Sequence, residues 1–208
     1  GGSVRRGGRR LRLLDREEAL GLLLENGPVQ SFLWDKLFRR TLFDGISFPE
    51  GRTFEDVAVM HRLFLRAERV LCLPEAKYHY VQRGDSIVSD LSLSNRLNHY
   101  HAARCRYEDL LRDWPQFCTL AGGQCLAAAV GIWCGYRSTP RPEREQARPL
   151  LEELSQFARK HSRRLRGQLG LGMAGRAVLR LVPYPKWWAF LAADWICRAY
   201  RLRHGRAL

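Results

Sequence analysis

The sequence predicts a helix-rich α/β chain in two parts: a mixed α/β piece over residues 1–90, then an all-helical extension over residues 91–208. Three observations carry this. Apolar residues recur at helical spacing through most of the chain. Two short runs, residues 69–73 (RVLCL) and 77–82 (KYHYVQ), have the β-branched and aromatic content of strands. Beyond Asp90 only helical patterns remain. A length of 208 residues leaves room for one or two domains, and 46% apolar with 27% charged residues fits a globular rather than a disordered chain.

Taken in order, residues 1–14 read as a loop or the frayed end of an element. Asp15 caps a helix, and Glu18 three places on completes a capping box. That helix carries Ala19, Leu20, Leu22, Leu23 and Leu24 and stops at Asn26, Gly27 and Pro28. A second helix is expected over residues 29–40, burying Phe32, Leu33, Leu37 and Phe38. Residues 44–53 (DGISFPEGRT) form a turn-rich loop, and a third helix starts near Phe54, Glu55 and Asp56 and runs to Ala67. The two strand candidates follow, with a turn at Gly84, Asp85 and Ser86. Residues 91–113 read as one long polar-faced helix; Pro115 opens a more apolar one, rich in Ala, Gly and Cys, that ends near residue 136. Residues 138–142 (STPRP) are a linker, and residues 143–161 place Leu150, Leu151, Leu154 and Phe157 on one face. Two apolar pieces, residues 171–182 and 187–202, flank Pro183, Tyr184 and Pro185. No internal repeat is present.

The net charge is +14, from 35 Lys and Arg against 21 Asp and Glu. Only Lys36, Lys77, Lys160 and Lys186 are lysines, so the excess is arginine, which suits phosphate or anionic lipid. Its location is uneven. Residues 1–14 carry +5, residues 159–208 carry +11 with Asp194 as their one acid, and residues 15–158 carry −2. The tail also holds Trp187, Trp188, Phe190, Leu191, Trp195 and Ile196 beside Arg198, Arg201, Arg203 and His204. Aromatics near a basic end fit a helix lying on an anionic membrane surface, a core helix, or a solvated tail. Nucleic acid is not expected as a partner, because no zinc spacing, RNP pattern or helix-turn-helix accompanies the charge.

Other classes fall away. No run of 18 apolar residues exists, and the best stretch, residues 178–197, is broken by Arg180, Pro183, Pro185 and Lys186. The first residues lack the apolar core of a secretory signal. The six cysteines, at 72, 105, 118, 125, 134 and 197, show no C-x-x-C pair and no zinc spacing, so they read as buried or reduced thiols of a cytosolic protein. Residues 170–175 (GLGMAG) match G-x-G-x-x-G, but that pattern holds a dinucleotide only between a strand and a helix. Here the preceding stretch is basic and without strand character, so a glycine hinge is the better reading.

The informative block runs from Ser31 to Ile87. It contains Trp34-Asp35-Lys36, then Phe48-Pro49-Glu50-Gly51, then Phe54-Glu55-Asp56-Val57, and finally Tyr78-His79-Tyr80-Val81-Gln82-Arg83 followed by Ser86 and Ile87. In order and spacing this resembles the second half of bacterial family 2 glycosyltransferases, which carry a Trp-Asn-Lys helix, an F-P-E-G loop, a Y/F-E-D helix start and a Y-x-Y-x-x-R-x-x-S-I close. Residues 15–30 fit the family helix before this block, and residues 91–208 match no motif.

The resemblance implies the acceptor-side half of an A-type glycosyltransferase domain. It also implies inverting transfer from a nucleotide-sugar donor to the hydroxyl of a sugar or lipid-linked acceptor, in cell-surface polysaccharide or lipopolysaccharide synthesis. Such chemistry needs a carboxylate to take the hydroxyl proton, charge stabilisation of the departing diphosphate, and a pocket holding the reactants in line. Asp56 is the expected base, with Glu55 beside it; in the first turn of a helix the dipole favours the ionised form. Both acids also fit as simple helix caps. Trp34 stacks on the acceptor sugar or is a core aromatic. Lys36 pairs with phosphate, with Asp56 or Glu55, or is solvated. Arg83, followed by Ser86, reaches the donor diphosphate or bridges to Asp85 or Glu75. Asp35 replaces the family asparagine, and His79 is a weak candidate metal ligand. A divalent metal, Mg or Mn, is implied for the whole enzyme, but no D-x-D motif occurs in the chain and no metal ligand is assigned. The absent D-x-D and the missing initial methionine lead us to expect a fragment that begins inside the catalytic domain, cytoplasmic or peripheral at the inner face of the membrane. The competing expectation is a non-catalytic basic helical module binding a membrane or nucleic acid; strands and a D-x-D encoded upstream would separate the two.

Overall fold

The computed structural model describes residues 11–25, 27, 29–73, 75, 77–81, 90, 92–165 and 171–204. The chain divides into two compact units. One comprises Gly1–Glu50 and Glu55–Arg83, the other Gly51–Phe54 and Gly84–Leu208.

In the first unit, strand β1 (Arg12–Asp15) leads directly into helix α1 (Arg16–Leu24), and helix α2 (Glu55–Arg66) leads into strand β2 (Arg69–Cys72). The capping box forms as expected: Asp15 Oδ1 accepts from the Glu18 amide at 2.9 Å, and Glu18 Oε2 accepts from the Asp15 amide at 3.1 Å. Helix α1 buries Ala19, Leu20, Leu23 and Leu24, and α2 packs against it with Val59, Met60, Leu63 and Phe64 on its buried side. β1 and β2 pair antiparallel in register Arg12↔Cys72, Leu13↔Leu71, Leu14↔Val70 and Asp15↔Arg69. Residues 12–15 thus form a strand, where a loop or the frayed end of an element was expected up to residue 14. Four residues are too few to show alternation, and Leu14 is the one buried position among them.

Two further expectations fail in this unit. Residues 29–39 form no helix; a turn closes from the Lys36 amide to the Leu33 carbonyl, and a single 3-10 turn follows at Arg40–Phe43. The physical reason is visible in Phe32 and Trp34, whose rings stack 4.8 Å apart. Residues two apart on an α-helix do not face each other, so the stack and the helix exclude one another. Leu37, expected in the core, is fully exposed. Residues 77–81 are irregular rather than a strand, with Tyr78 and Tyr80 packed on the Trp34 indole; Gln82 lies outside the described residues.

The second unit is helical: α3 (Leu93–Asp113), α4 (Cys118–Gly135), α5 (Arg141–Leu165), α6 (Met173–Leu179) and α7 (Trp187–His204). Helix α4 is the centre, touching α3, α5, α6 and α7. Its buried residues, from Ala121 to Trp133, cover more than half of its circumference, and Leu120, Gln124, Ala127 and Gly131 on the remaining side are half-buried. With its flanking turns, Pro115–Ser138, and not residues 178–197, is the stretch among the described residues that is long and apolar enough to cross a membrane; most of it is buried inside this unit. The linker expected at residues 138–142 is shorter than thought, since α5 begins at Arg141. Helix α5 buries Leu151, Leu154 and Phe157, while Leu150 is only half-buried. Residues 159–165 are the end of α5; Gly170 lies outside the described residues, Gly172 caps α6 and Gly175 is buried within it. Cys134 on α4 and Cys197 on α7 are joined by a disulfide across 63 residues, where reduced thiols had been expected. Separation of that size leaves no trace in local spacing. Cys125 is buried at the centre, which pushes its thiol up to about 12 and keeps it protonated.

Gly131 and Gly135 face α3 one turn apart, and the Arg96 guanidinium lies across them, donating from Nη1 to the Gly131 carbonyl at 2.6 Å. A Cβ at position 135 would meet Arg96 Nε at 2.9 Å. Gly135→Ala should push the flexible Arg96 end aside and, with alanine's better helix propensity acting the other way, change stability by no more than about 1 kcal/mol. Thermal melts of the two proteins check this; a larger loss would mean that Arg96 cannot move from the two glycines.

Candidate active site

The first unit carries most of the residues singled out by the sequence. Trp34 is not a core aromatic: it is 38% exposed, at the centre of a cluster. Its indole stacks on Phe32 at 4.8 Å, on Tyr80 at 5.1 Å and meets Tyr78 at 4.6 Å. Tyr78 and Tyr80 are each about half exposed. Two residues apart on an extended chain point to the same side, which is how both reach one indole. The cluster presents a flat, partly wet aromatic surface with two phenol groups, the kind of surface on which the C–H faces of a sugar ring pack. The sequence reading named Trp34 alone; the i, i+2 spacing of Tyr78 and Tyr80 was the available signal for the other two.

Beside the indole, Lys36 turns away from the role of partner to Asp56 or Glu55. Its Nζ pairs with the Asp35 carboxylate and donates to the Phe32 carbonyl at 2.7 Å. Asp35, where the family asparagine was expected, therefore serves to hold the lysine. The pair ties together the same turn that carries Phe32 and Trp34, so both charges fix the aromatic cluster in place.

Glu55 and Asp56 occupy the first turn of α2 as expected, and both are half-buried. Asp56 Oδ1 accepts from the Val57 amide at 2.7 Å, in the first turn of the helix. At the far end of α2, Arg66 Nη1 donates to the Leu42 carbonyl at 3.0 Å and to that of Asp44, anchoring the loop before the F-P-E-G sequence. Arg83 and Ser86 lie outside the described residues. His79 is exposed, and among the described residues no group of three or more His, Cys, Asp and Glu is placed to hold a metal ion.

In the second unit, residues 51–54 are held by the start of α3. Thr53 Oγ1 donates to Asn95 Oδ1 at 2.7 Å and accepts from Asn98 Nδ2 at 3.2 Å. Asn95 Nδ2 in turn donates to the Asp90 carbonyl at 2.9 Å. Gly51 turns with φ 69°, which glycine tolerates. Phe54 also has a positive φ, 64°, an uncommon state for a bulky residue that costs about 1–3 kcal/mol. Its ring packs on His99 at 4.7 Å. Strain of this kind persists where surroundings over-determine it and concentrates at functional sites. Here it sits in the residue directly before Glu55 and Asp56.

The first unit thus carries both a partly exposed aromatic surface and an acid-bearing helix start. Part of the chain is similar to a sugar-transferring enzyme, Glycosyltransferase GlyG of Streptococcus pneumoniae serotype 4, at 31% identity over 99 residues. The match takes in 39% of this chain and 33% of the relative, so the chain spans about a third of that relative's length. No family model matches the chain, and no solved structure matches it. The similarity supports a glycosyltransferase-related chain.

Burial lowers the pKa of His99, and the nearby Arg106 lowers it further. His101 shifts the same way, through burial and then Arg52, against the opposing pull of Glu153 and Glu108. A histidine held neutral in the fold takes a proton more readily when unfolded, so stability falls as pH drops through the ordinary histidine range. Urea midpoints at about pH 7.5 and about pH 5.5 should show this loss. His99→Phe, which keeps a ring against Phe54, should lessen it; an unchanged pH dependence would show that His99 is not the group responsible.

Proposed function

We propose that this chain is the acceptor-side part of an inverting, family 2-like glycosyltransferase of the A-type fold. It moves a sugar from a nucleotide-sugar donor to the hydroxyl of a sugar or lipid-linked acceptor in cell-surface polysaccharide or lipopolysaccharide synthesis. The observation that carries the reading is the cluster of exposed Trp34, Tyr78 and Tyr80 on half-buried Phe32, held by the Asp35–Lys36 pair in the same unit as the acidic start of α2. The four motifs in family order and the partial similarity to a glycosyltransferase add to it.

In this reading the acceptor ring lies on the aromatic cluster and its hydroxyl proton passes to the Asp56 carboxylate, with Glu55 adjacent. The freed oxygen bonds to the anomeric carbon as the bond from that carbon to the diphosphate oxygen breaks. The electron pair leaves on the nucleoside diphosphate, and attack from the opposite face inverts the centre. Asp56 stands in the first turn of α2, where the helix dipole favours a negative charge, and is placed to take the proton. Mg or Mn is the cofactor this family resemblance implies, but the described residues do not form a site that fits it, and no step is assigned to it.

Two measurements test the proposal. Intrinsic fluorescence of the chain should change on titration with acceptor oligosaccharides, and Trp34→Ala should weaken that binding about three- to tenfold, the worth of one aromatic contact. In a polypeptide carrying this chain behind a nucleotide-binding half, Asp56→Asn should lower turnover about 100- to 10,000-fold while acceptor binding stays intact. Turnover near that of the parent would remove Asp56 from the role of base. No response to any acceptor would remove the aromatic cluster from the site.

A further inference from the structure

Helix α7 has two faces of opposite character. Ala189, Phe190, Ala193, Asp194 and Cys197 are buried within the helical unit, with Phe190 stacked 3.9 Å from Tyr136 and 5.0 Å from Trp133. On the other face Trp187, Leu191 and Trp195 recur every fourth residue and so form one stripe. They are 77%, 44% and 71% exposed. Trp188 lies beside them against Tyr184, and Leu202 is exposed further along. The inward residues, Phe190 among them, fill the contact with the rest of the unit, so the core does not account for the outward tryptophans.

Charge surrounds this stripe. Lys186, Arg198, Arg201 and Arg203 are all exposed. The helix's single acid, Asp194, is buried, where it accepts from Arg198 and faces Arg137 at 3.9 Å. At the N-terminal end of the stripe a groove of about 500 Å³ opens between α5 and α7, lined by Arg144, Arg148, Tyr136, Trp187, Phe190 and Leu191. The Arg144 guanidinium lies over the Tyr136 ring at 5.7 Å, and its buried Nε has no hydrogen-bond partner among the described residues. The acids at this groove are matched by arginines: Glu145 with Arg141 at 2.9 Å and Glu152 with Arg148 at 3.6 Å.

We propose that the outward face of α7, with the groove beside it, docks on an anionic phospholipid membrane. Trp187, Leu191 and Trp195 enter the interfacial layer, where an aromatic ring finds an apolar body and a wet edge. Lys186, Arg144, Arg198 and Arg201 meet the lipid phosphates. Charge complementarity selects this occupant. A second copy of the chain would bring the same cations against these, and a nucleic acid backbone would leave an apolar stripe facing phosphodiesters. The proposal rests on the helical unit alone and stands apart from the glycosyltransferase reading.

Co-sedimentation of the whole chain decides it, using vesicles of phosphatidylcholine alone and of phosphatidylcholine mixed with phosphatidylglycerol. Partition into the mixed vesicles should exceed that into neutral ones by more than about tenfold, with a blue shift of tryptophan emission. Replacing both tryptophans, Trp187→Ser with Trp195→Ser, should abolish most of the shift. Arg198→Gln with Arg201→Gln should reduce partition about fivefold per residue at low salt, and it keeps the test decisive if the tryptophan pair loses its helical circular dichroism. Equal partition into both vesicles, or arginine and tryptophan variants that partition as the parent does, overturns the proposal. So does release by inorganic phosphate but not by chloride at equal ionic strength, which marks a small-anion site, or tighter binding to single-stranded DNA than to mixed vesicles.

Discussion

Helix α4 carries Ala, Gly, Cys, Leu, Val, Ile and Trp around its whole circumference, and such a helix is stable only when neighbours cover it. The second unit follows from that requirement. α3 covers one side and reaches it with polar groups as well as apolar ones: Arg106, almost fully buried, donates to Gln124 at 3.0 Å, and Arg96 lies over the two glycines of α4. α5, α6 and α7 close the remaining sides. Because α7 meets α4 through Ala189, Phe190, Ala193 and Cys197, its larger aromatics are left pointing outward. The surface that distinguishes this unit is thus a by-product of how its central helix is buried.

The first unit shows a different balance. Its two helices obey the apolar periodicity, but the segment between them does not, because aromatic stacking between residues two apart outweighs helix formation there. The result is a turn held by Asp35, Lys36 and the Phe32 carbonyl, with Trp34 standing out from it. A helix over the same residues would have separated Phe32 from Trp34. The irregular segment is therefore what assembles the aromatic surface, in keeping with the general tendency of function to sit on loops carried by regular elements.

Much of the site was legible residue by residue, yet little of it as an arrangement. Glu55 and Asp56 were placed at a helix start by the pattern around them, and they lie there. Trp34 stood out, but whether it faced solvent or core was undecided by sequence, because a tryptophan serves either. Asp35 read as a departure from a family pattern; in the fold it is the partner that immobilises Lys36. The strained Phe54 had no sequence signal at all, since a positive φ at a phenylalanine comes from its surroundings, here the bonds of Thr53 to Asn95 and Asn98 and the contact with His99.

What the sequence by itself determined were the features written in local spacing. These are the capping box at Asp15 and Glu18, the helical runs from residue 93 onward, the strand at residues 69–72, and the concentration of positive charge at the two ends. Each depends on residues within a few places of one another. Tertiary structure alone decided the pairing of β1 with β2, the Cys134–Cys197 bond, the turn in place of a second helix, and which side of α7 faces out. These join residues tens of positions apart, or turn on which of two apolar faces finds a partner. Local propensity carries no information about partners at that distance, and packing does.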